Sequence, residues 1–295
     1  MSFRKQKEIS GHAGAIYCCV ANKEFIYTGS ADKYVTRWKI DEGIQDKFAI
    51  KFKHSIYALC LVNESTLVVG LANGALHFFD LDSRIETKFY TQHTQAIFSI
   101  KHNSSKGHIY VTDADGNLSV WAEKGEKLVI YLPLDCGKVR SIDVDRNGDH
   151  FVLACQDGTI RVFEAEYFNE IITLDAHKGG ASSVLFHPLN EGELISGGRD
   201  ARMKHWNWRS ERELMSVVAH TFAIYSLASI KNGKYIISAS RDKHVKVWNA
   251  DLSIVKRLDL KAGGHRHSVN DLVSISDTNF ATCSDDKRVI IWEEV

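Results

Sequence analysis

The sequence predicts an all-β fold, a seven-bladed β-propeller of four-stranded antiparallel blades, and three observations carry that prediction. A nine-residue phrase ending in an aromatic recurs along the whole chain at nearly constant spacing. Between the recurrences, short β-branched and aromatic runs are broken by turn residues every eight to twelve positions, a strand-and-hairpin rhythm. Proline is nearly absent, at two residues in 295, which suits strands that hydrogen-bond on both sides.

The phrase reads Ser30-Ala-Asp-Lys-Tyr-Val-Thr-Arg-Trp38 in the first copy and returns in full at Asp113–Trp121, Gly198–Trp206, Ser240–Trp248 and Ser284–Trp292. Weaker copies end in Phe79 and Phe163. The aromatic ends fall at 38, 79, 121, 163, 206, 248 and 292, so seven copies fill residues 1–295 as a single domain with no room for a second. Within copy six, Ile224–Ile230, Tyr235–Ala239, Val245–Trp248 and Val255–Leu258 read as four strands, joined at Asn232-Gly233, Arg241-Asp-Lys and Asn249-Ala-Asp. The last copy, ending at Trp292-Glu-Glu-Val295, supplies only three strands, and an orphan strand, Phe3 to Ile9, opens the chain. The orphan is expected to complete the last blade and close the ring, removing the free edges of an open sheet.

Composition sets limits on function. Lys plus Arg balance Asp plus Glu at 37 each, so no overall field draws the molecule to a polyanion, and scattered basic residues disfavour nucleic acid as a partner. No apolar stretch approaches the roughly 20 residues of a spanning helix and no signal core stands at the start, so the reading is no membrane and a cytoplasmic location, with a nuclear pool compatible in a eukaryote. Cys18, Cys19, Cys60, Cys136, Cys155 and Cys283 lie in apolar runs without Cys-x-x-Cys spacing, as buried reduced thiols rather than a disulfide framework or a zinc knuckle.

The repeated phrases resemble the WD40-repeat family, whose blades carry a Gly-His before the innermost strand and a Trp-Asp-like end roughly 26 to 30 residues later. Gly11-His12 and Gly264-His265 keep the full dipeptide; His54, His93, His177 and His220 keep the histidine, and copy four has Asp135 instead. An aspartate stands six residues before most of the aromatics, at Asp32, Asp115, Asp157, Asp200, Asp242 and Asp286, with Asn73 in copy two. The resemblance implies a buried tetrad of His, Ser/Thr, Asp and Trp in each complete blade. Four copies match it: His12, Thr28, Asp32 and Trp38; His177, Ser196, Asp200 and Trp206; His220, Ser238, Asp242 and Trp248; and His265, Thr282, Asp286 and Trp292. Copies two, three and four are degraded. A His–Asp pair that recurs around a ring is structural, satisfying buried polar groups and locking the overlying loop, so no catalytic residue is assigned.

Other chemical motifs fail their tests. Asp145-Arg-Asn147-Gly-Asp149 resembles the start of a calcium loop, but its glycine comes one place early and no glutamate closes it, which leaves a hairpin turn. His265-Arg-His267 suggests a metal, but His265 already has its tetrad role. No Walker loop, H-E-x-x-H or G-x-S-x-G occurs, so neither metal nor cofactor is expected.

The resemblance also implies which side chains reach the top of the ring: those three and five places after the histidine, and the one before the turn aspartate. The fifth-place residues are Tyr17, Phe98, Arg140, Ser182, Tyr225 and Asn270, with Tyr57 as the equivalent in the shortened second copy. Lys138 joins from the third-place set, and Gln156, Arg199, Arg241 and Asp285 stand before the turn aspartates, where the first three copies carry alanine. The expectation is an aromatic arc on blades six, one, two and three beside a basic arc on blades four to six. Tyrosine, phenylalanine and arginine dominate interface energies. The function expected is therefore a non-catalytic scaffold, a monomeric propeller within a hetero-complex, that binds a peptide or loop of another protein through an apolar or aromatic anchor with an acidic or phosphorylated flank. The alternative is a small ligand or modified residue held in the central channel.

Overall fold

The computed structural model describes residues 2–295. Twenty-eight strands form seven four-stranded antiparallel sheets, and one short 3-10 turn, Leu260–Ala262, is the helical element among the described residues. After β1 (Phe3–Ser10), the first blade runs β2 (Ile16–Ala21), β3 (Phe25–Ser30), β4 (Tyr34–Lys39) and β5 (Ile44–Lys51) from channel to rim. The second runs β6 (Ile56–Leu61), β7 (Thr66–Leu71), β8 (Leu76–Asp80) and β9 (Ile85–Tyr90). The other innermost strands are Ile97–Asn103, Val139–Val144, Ala181–Phe186, Ile224–Ile230 and Val269–Ser274. In the seventh blade the rim strand is β1, paired antiparallel to Arg288–Glu294 from Phe3↔Glu294 to Ser10↔Arg288. The expected closure is thus realised by eight residues from the other end of the chain.

The core lies between blades rather than within one. The apolar cluster between blades one and two joins Tyr27, Val35 and Phe48 to Leu67, Val69 and Phe79, and the cluster between blades seven and one joins Ala281, Val289 and Ile291 to Ile16, Ile26 and Trp38. In blades one, two and five close approach requires glycine at one recurring place on the second strand, Gly29, Gly70 and Gly197. At Gly70 an added Cβ would lie 2.5 Å from Ile97 Cγ2 of the next blade. All six cysteines are buried and free.

The turn that carries each aspartate, or Asn73 in blade two, is left-handed at the following residue, at Lys33, Ala201, Lys243 and Lys287 and at Gly74, Gly116 and Gly158. The carboxylate stabilises the turn by accepting a backbone N–H two residues on, as Asp32 does from Tyr34 at 3.0 Å and Asp242 from His244 at 3.0 Å.

Candidate functional site

All four expected tetrads are assembled. In the sixth blade the Trp248 indole N–H donates to Ser238 Oγ at 2.9 Å, the hydroxyl lies 2.8 Å from His220 Nε2, and His220 Nδ1 lies 2.9 Å from Asp242. The same chain of contacts joins Trp38, Thr28, His12 and Asp32, then Trp206, Ser196, His177 and Asp200, and finally Trp292, Thr282, His265 and Asp286. Burial holds the His12 and His220 imidazoles below their ordinary value, against the pull of the aspartates. Burial pushes the Asp242 and Asp286 carboxyls up, but the histidine hydrogen bonds and charges outweigh it and keep both well below the carboxylate range. In the His12 and His220 tetrads a neutral ring that donates from Nδ1 and accepts at Nε2 satisfies every member, and the network locks the overlying loop.

Blade three corrects the expectation that its tetrad is degraded. His93 Nδ1 lies 2.7 Å from Asp113, its Nε2 lies 2.7 Å from Ser119 Oγ, and Trp121 donates to the same hydroxyl at 2.8 Å. Asp113 stands two residues before the turn position Asp115, and Ser119 lies on the third strand opposite Val111, which fills the usual hydroxyl site. The readable signal was a serine two residues before the tryptophan. Blades two and four do lack the tetrad: His54 is exposed, and Asp157 pairs instead with Arg161 at 3.0 Å.

The fifth-place residues share a structural cause. Each innermost strand slips its register once, between Ile16 and Cys18, Ile56 and Ala58, Ile97 and Ser99, Val139 and Ser141, Ala181 and Ser183, Ile224 and Ser226, and Val269 and Asp271. The skipped residues are Tyr17, Tyr57, Phe98, Arg140, Ser182, Tyr225 and Asn270. A bulge re-aims one side chain away from the sheet face, and here it turns six of the seven toward the central opening. Ser182 is the exception: it is buried, and its hydroxyl donates to Ile224 O at 2.6 Å.

The opening is a cavity of about 860 Å³ whose walls include Tyr17, Tyr57, Phe98, Lys138, Arg140, Tyr225, Asn270 and Asp285. Tyr17 stacks on Tyr57 at 4.8 Å, Tyr57 meets Phe98 at 5.4 Å, and the Arg140 guanidinium lies over Phe98 at 4.7 Å. One continuous ladder therefore crosses blades one to four. Tyr225 is not part of it, because blade seven with Asn270 comes between it and Tyr17 around the ring; the aromatic arc covers three blades rather than four. Asn270 is tied to Asp285 and to Ile16 O, both at 2.8 Å. Gln156, Arg199 and Arg241 are exposed outside the cavity walls: Gln156 accepts from Lys138 N, and Arg241 lies over Phe222 at 5.8 Å.

Deeper in the channel are charged groups that the top-face register did not point to. Lys101 pairs with Asp143 at 2.7 Å, and Asp143 also accepts from Phe186 N. Asp271 accepts from Cys19 N at 3.0 Å and Ser226 Oγ at 2.8 Å, joining blades seven, one and six; burial pushes its carboxyl up to about 6 despite those bonds. In blade five, away from the residues that line the opening, ligand atoms of His187, Glu193 and His205 lie within 4.8 Å of one another. The two imidazoles are stacked at 4.9 Å with planes 16° apart, so their in-plane lone pairs do not meet at one point. The cluster reads as a stacked, hydrogen-bonded corner.

A closed ring of blades, five of them locked by a buried polar tetrad, and a bulge-built face around the central opening define a repeat propeller. The chain belongs to the WD40 family: the WD domain, G-beta repeat, matches residues 3–39, 84–122, 130–164, 168–207, 211–249 and 256–293. Residues 40–83, outside these stretches, hold the last strand of blade one and most of blade two. The chain is 28% identical over 206 residues to the U3 small nucleolar RNA-associated protein 15 homolog of Gallus gallus, which covers 68% of this chain and 38% of that protein. It is 26% identical over 170 residues to striatin of Mus musculus, covering 54% of this chain and 22% of striatin. It is 22% identical over 249 residues to WD repeat-containing protein 55 of Arabidopsis thaliana, covering 83% of this chain and 70% of that protein. The chain thus spans well under half the length of the first two. No helix among the described residues is long and apolar enough to cross a membrane.

Proposed function

We propose that this propeller is a non-catalytic interaction module that holds a peptide or loop of a partner protein at its top opening. The observation that carries the reading is the ladder Tyr17–Tyr57–Phe98–Arg140, a stacked tyrosine pair, a tilted phenylalanine and a guanidinium in successive contact, set at the mouth by bulges. Rings packed on one another offer large apolar area already fixed in place, so little entropy is lost when a side chain docks on them. Arg140, with Lys138 beside it and Arg199 and Arg241 exposed further out, favours an acidic or phosphorylated flank next to that anchor. The polar groups that recur in the blades are bound to one another, which supports a structural role for them and a binding role for the face. The chain acts as one propeller within a hetero-complex, in the cytoplasm or, given the nucleolar name of one relative, in the nucleus.

The test is capture of partners from native lysate by the wild-type chain beside the Tyr57→Ala/Arg140→Ala double variant. Both residues lie on the cavity wall and outside the inter-blade core, so the ring remains folded. Loss of a reproducible set of proteins in the variant alone is the expected result. Equal retention by both forms overturns the top-face reading.

A further inference from the structure

Blade two is where the repeat pattern fails, and its failure leaves a groove on the rim. Where the first blade has Trp38, Thr36 and Thr28 packed around His12, the second has Phe79, His77 and Val69, and its His54 is swung out to solvent. Phe52 partly fills the vacated site, edge-on to His77 at 5.0 Å and to Phe79 at 5.8 Å. The remainder is a cavity of about 740 Å³ between the rim strands of blades one and two, floored by Phe52, Phe79 and Leu71 and flanked by Phe89. Phe89 is 53% exposed, a large ring turned to solvent at the edge of an apolar hollow.

Two observations define what fits. His77 lines the groove; its Nδ1 donates to Glu86 at 2.7 Å, while its Nε2 is buried without a partner. In a neutral ring that nitrogen is an acceptor, and a buried acceptor left unpaired is a standing cost that an incoming donor removes. The rim is also cationic. Lys51, Lys53 and Lys88 line the groove against one carboxylate, Glu86, which is spent on His77. The hollow thus asks for an apolar body with a donor at its tip, and the rim asks for negative charge.

We infer that the blade-two groove is a second docking site, separate from the top opening, for a short acidic segment of a partner protein anchored by a tryptophan or tyrosine. The ring of the anchor packs on Phe52, Phe79 and Phe89, its N–H or O–H donates to His77 Nε2, and flanking Asp or Glu side chains face Lys51 and Lys53. The two sites share no lining residue, so one chain can hold two segments at once, with the gain in apparent affinity that linkage confers.

The experiment is fluorescence polarisation of the full chain with a labelled peptide carrying one tryptophan between aspartates and glutamates, beside the same peptide with its acidic residues replaced by lysine. The proteins are wild type, Lys53→Glu/Phe89→Ala, and Tyr57→Ala/Arg140→Ala; Lys53 and Phe89 are exposed, so their replacement leaves the fold intact. The expected result is saturable binding of the acidic peptide that weakens roughly tenfold or more in the groove variant, stays within about twofold in the top-face variant, and is absent for the lysine peptide. Equal binding to the wild type and the groove variant overturns the site, as does loss confined to the top-face variant or equal binding of the lysine peptide. No binding to the wild type at millimolar peptide overturns it too. None of these failures touches the top-face reading, which stands or falls on its own variant.

Discussion

A single hydroxyl decides whether a blade's polar network is satisfied. Ser238 accepts from Trp248 and faces His220 Nε2, and Ser119 performs the same service for Trp121 and His93 from a different strand. Replacing either by alanine strands two buried groups, so Ser119→Ala and Ser238→Ala should each cost roughly 1–3 kcal/mol in denaturant unfolding. A neutral Ser119→Ala would mean that blade three carries no working tetrad. Four of these networks were legible in the sequence because histidine, hydroxyl, aspartate and tryptophan keep fixed offsets. The one in blade three was not, since Asp113 and Ser119 reach the same points in space from positions two and eight residues away from the expected ones. Asp271 was equally hidden, because its environment comes from blades one and six. Its raised carboxyl works against stability as pH increases: the proton kept in the folded state is released on unfolding, so stability falls as pH rises from the ordinary value of 3.8 toward about 6. Asp271→Asn should therefore raise the melting temperature above pH 6, by the equivalent of about 1–3 kcal/mol, and lose that advantage near pH 4. An equal shift at both pH values would assign the effect to packing instead. The tetrads run the other way. His12 and His220 are held below 6.5 and their aspartates below 3.8, so they contribute most above pH 6.5 and lose it on acidification.

At the scale of the strand, one irregularity does most to build the site. The alternation of a regular strand would send successive residues to opposite faces, both of them packed against neighbouring blades. The slip after Ile16 and its six counterparts frees one residue per blade for the opening. Sequence offsets from the histidine located those residues, but only the structure shows that Ser182 turns inward and that Tyr225 stands apart from the stacked ladder. The same strands set how closely blades approach. Gly29, Gly70 and Gly197 lie against Ile56, Ile97 and Ile224 of the following blade, with a virtual Cβ 2.4 to 2.8 Å from the isoleucine Cγ2. Gly70→Val should push blades two and three apart and cost about 1–3 kcal/mol or more, measured as a lower melting temperature with the channel residues intact. Unchanged stability would show that the interface repacks freely, contrary to a core this closely filled.

For the whole molecule, the question is whether seven similar units behave as one. Each blade alone leaves both its faces open, and the apolar clusters bridge neighbouring blades, so stability belongs to the interfaces and the ring has seven of them when closed. Closure rests on β1, whose Phe3 and Ile9 are buried and whose backbone pairs along Arg288–Glu294. Phe3 reaches across to Tyr235 at 5.3 Å, which ties the strand to blade six as well. That closure was readable in advance because the copies are out of phase with the blades, a three-stranded remainder at one end calling for a strand at the other. The groove on blade two was not readable, since it arises from what Phe52 and His77 fail to fill. Removing residues 2–9 exposes Arg288–Glu294 as an unpaired edge and uncovers Phe280 and Trp292. If the ring is one cooperative unit, the truncated chain should melt in a single transition lowered by roughly 10 °C or more and should self-associate through the new edge. A free peptide spanning residues 2–9, added in excess, should restore much of the loss by occupying the same edge. A melting temperature unchanged by the truncation would mean that β1 merely decorates the last blade, and a second, lower transition confined to that blade would mean that the ring unfolds piecewise.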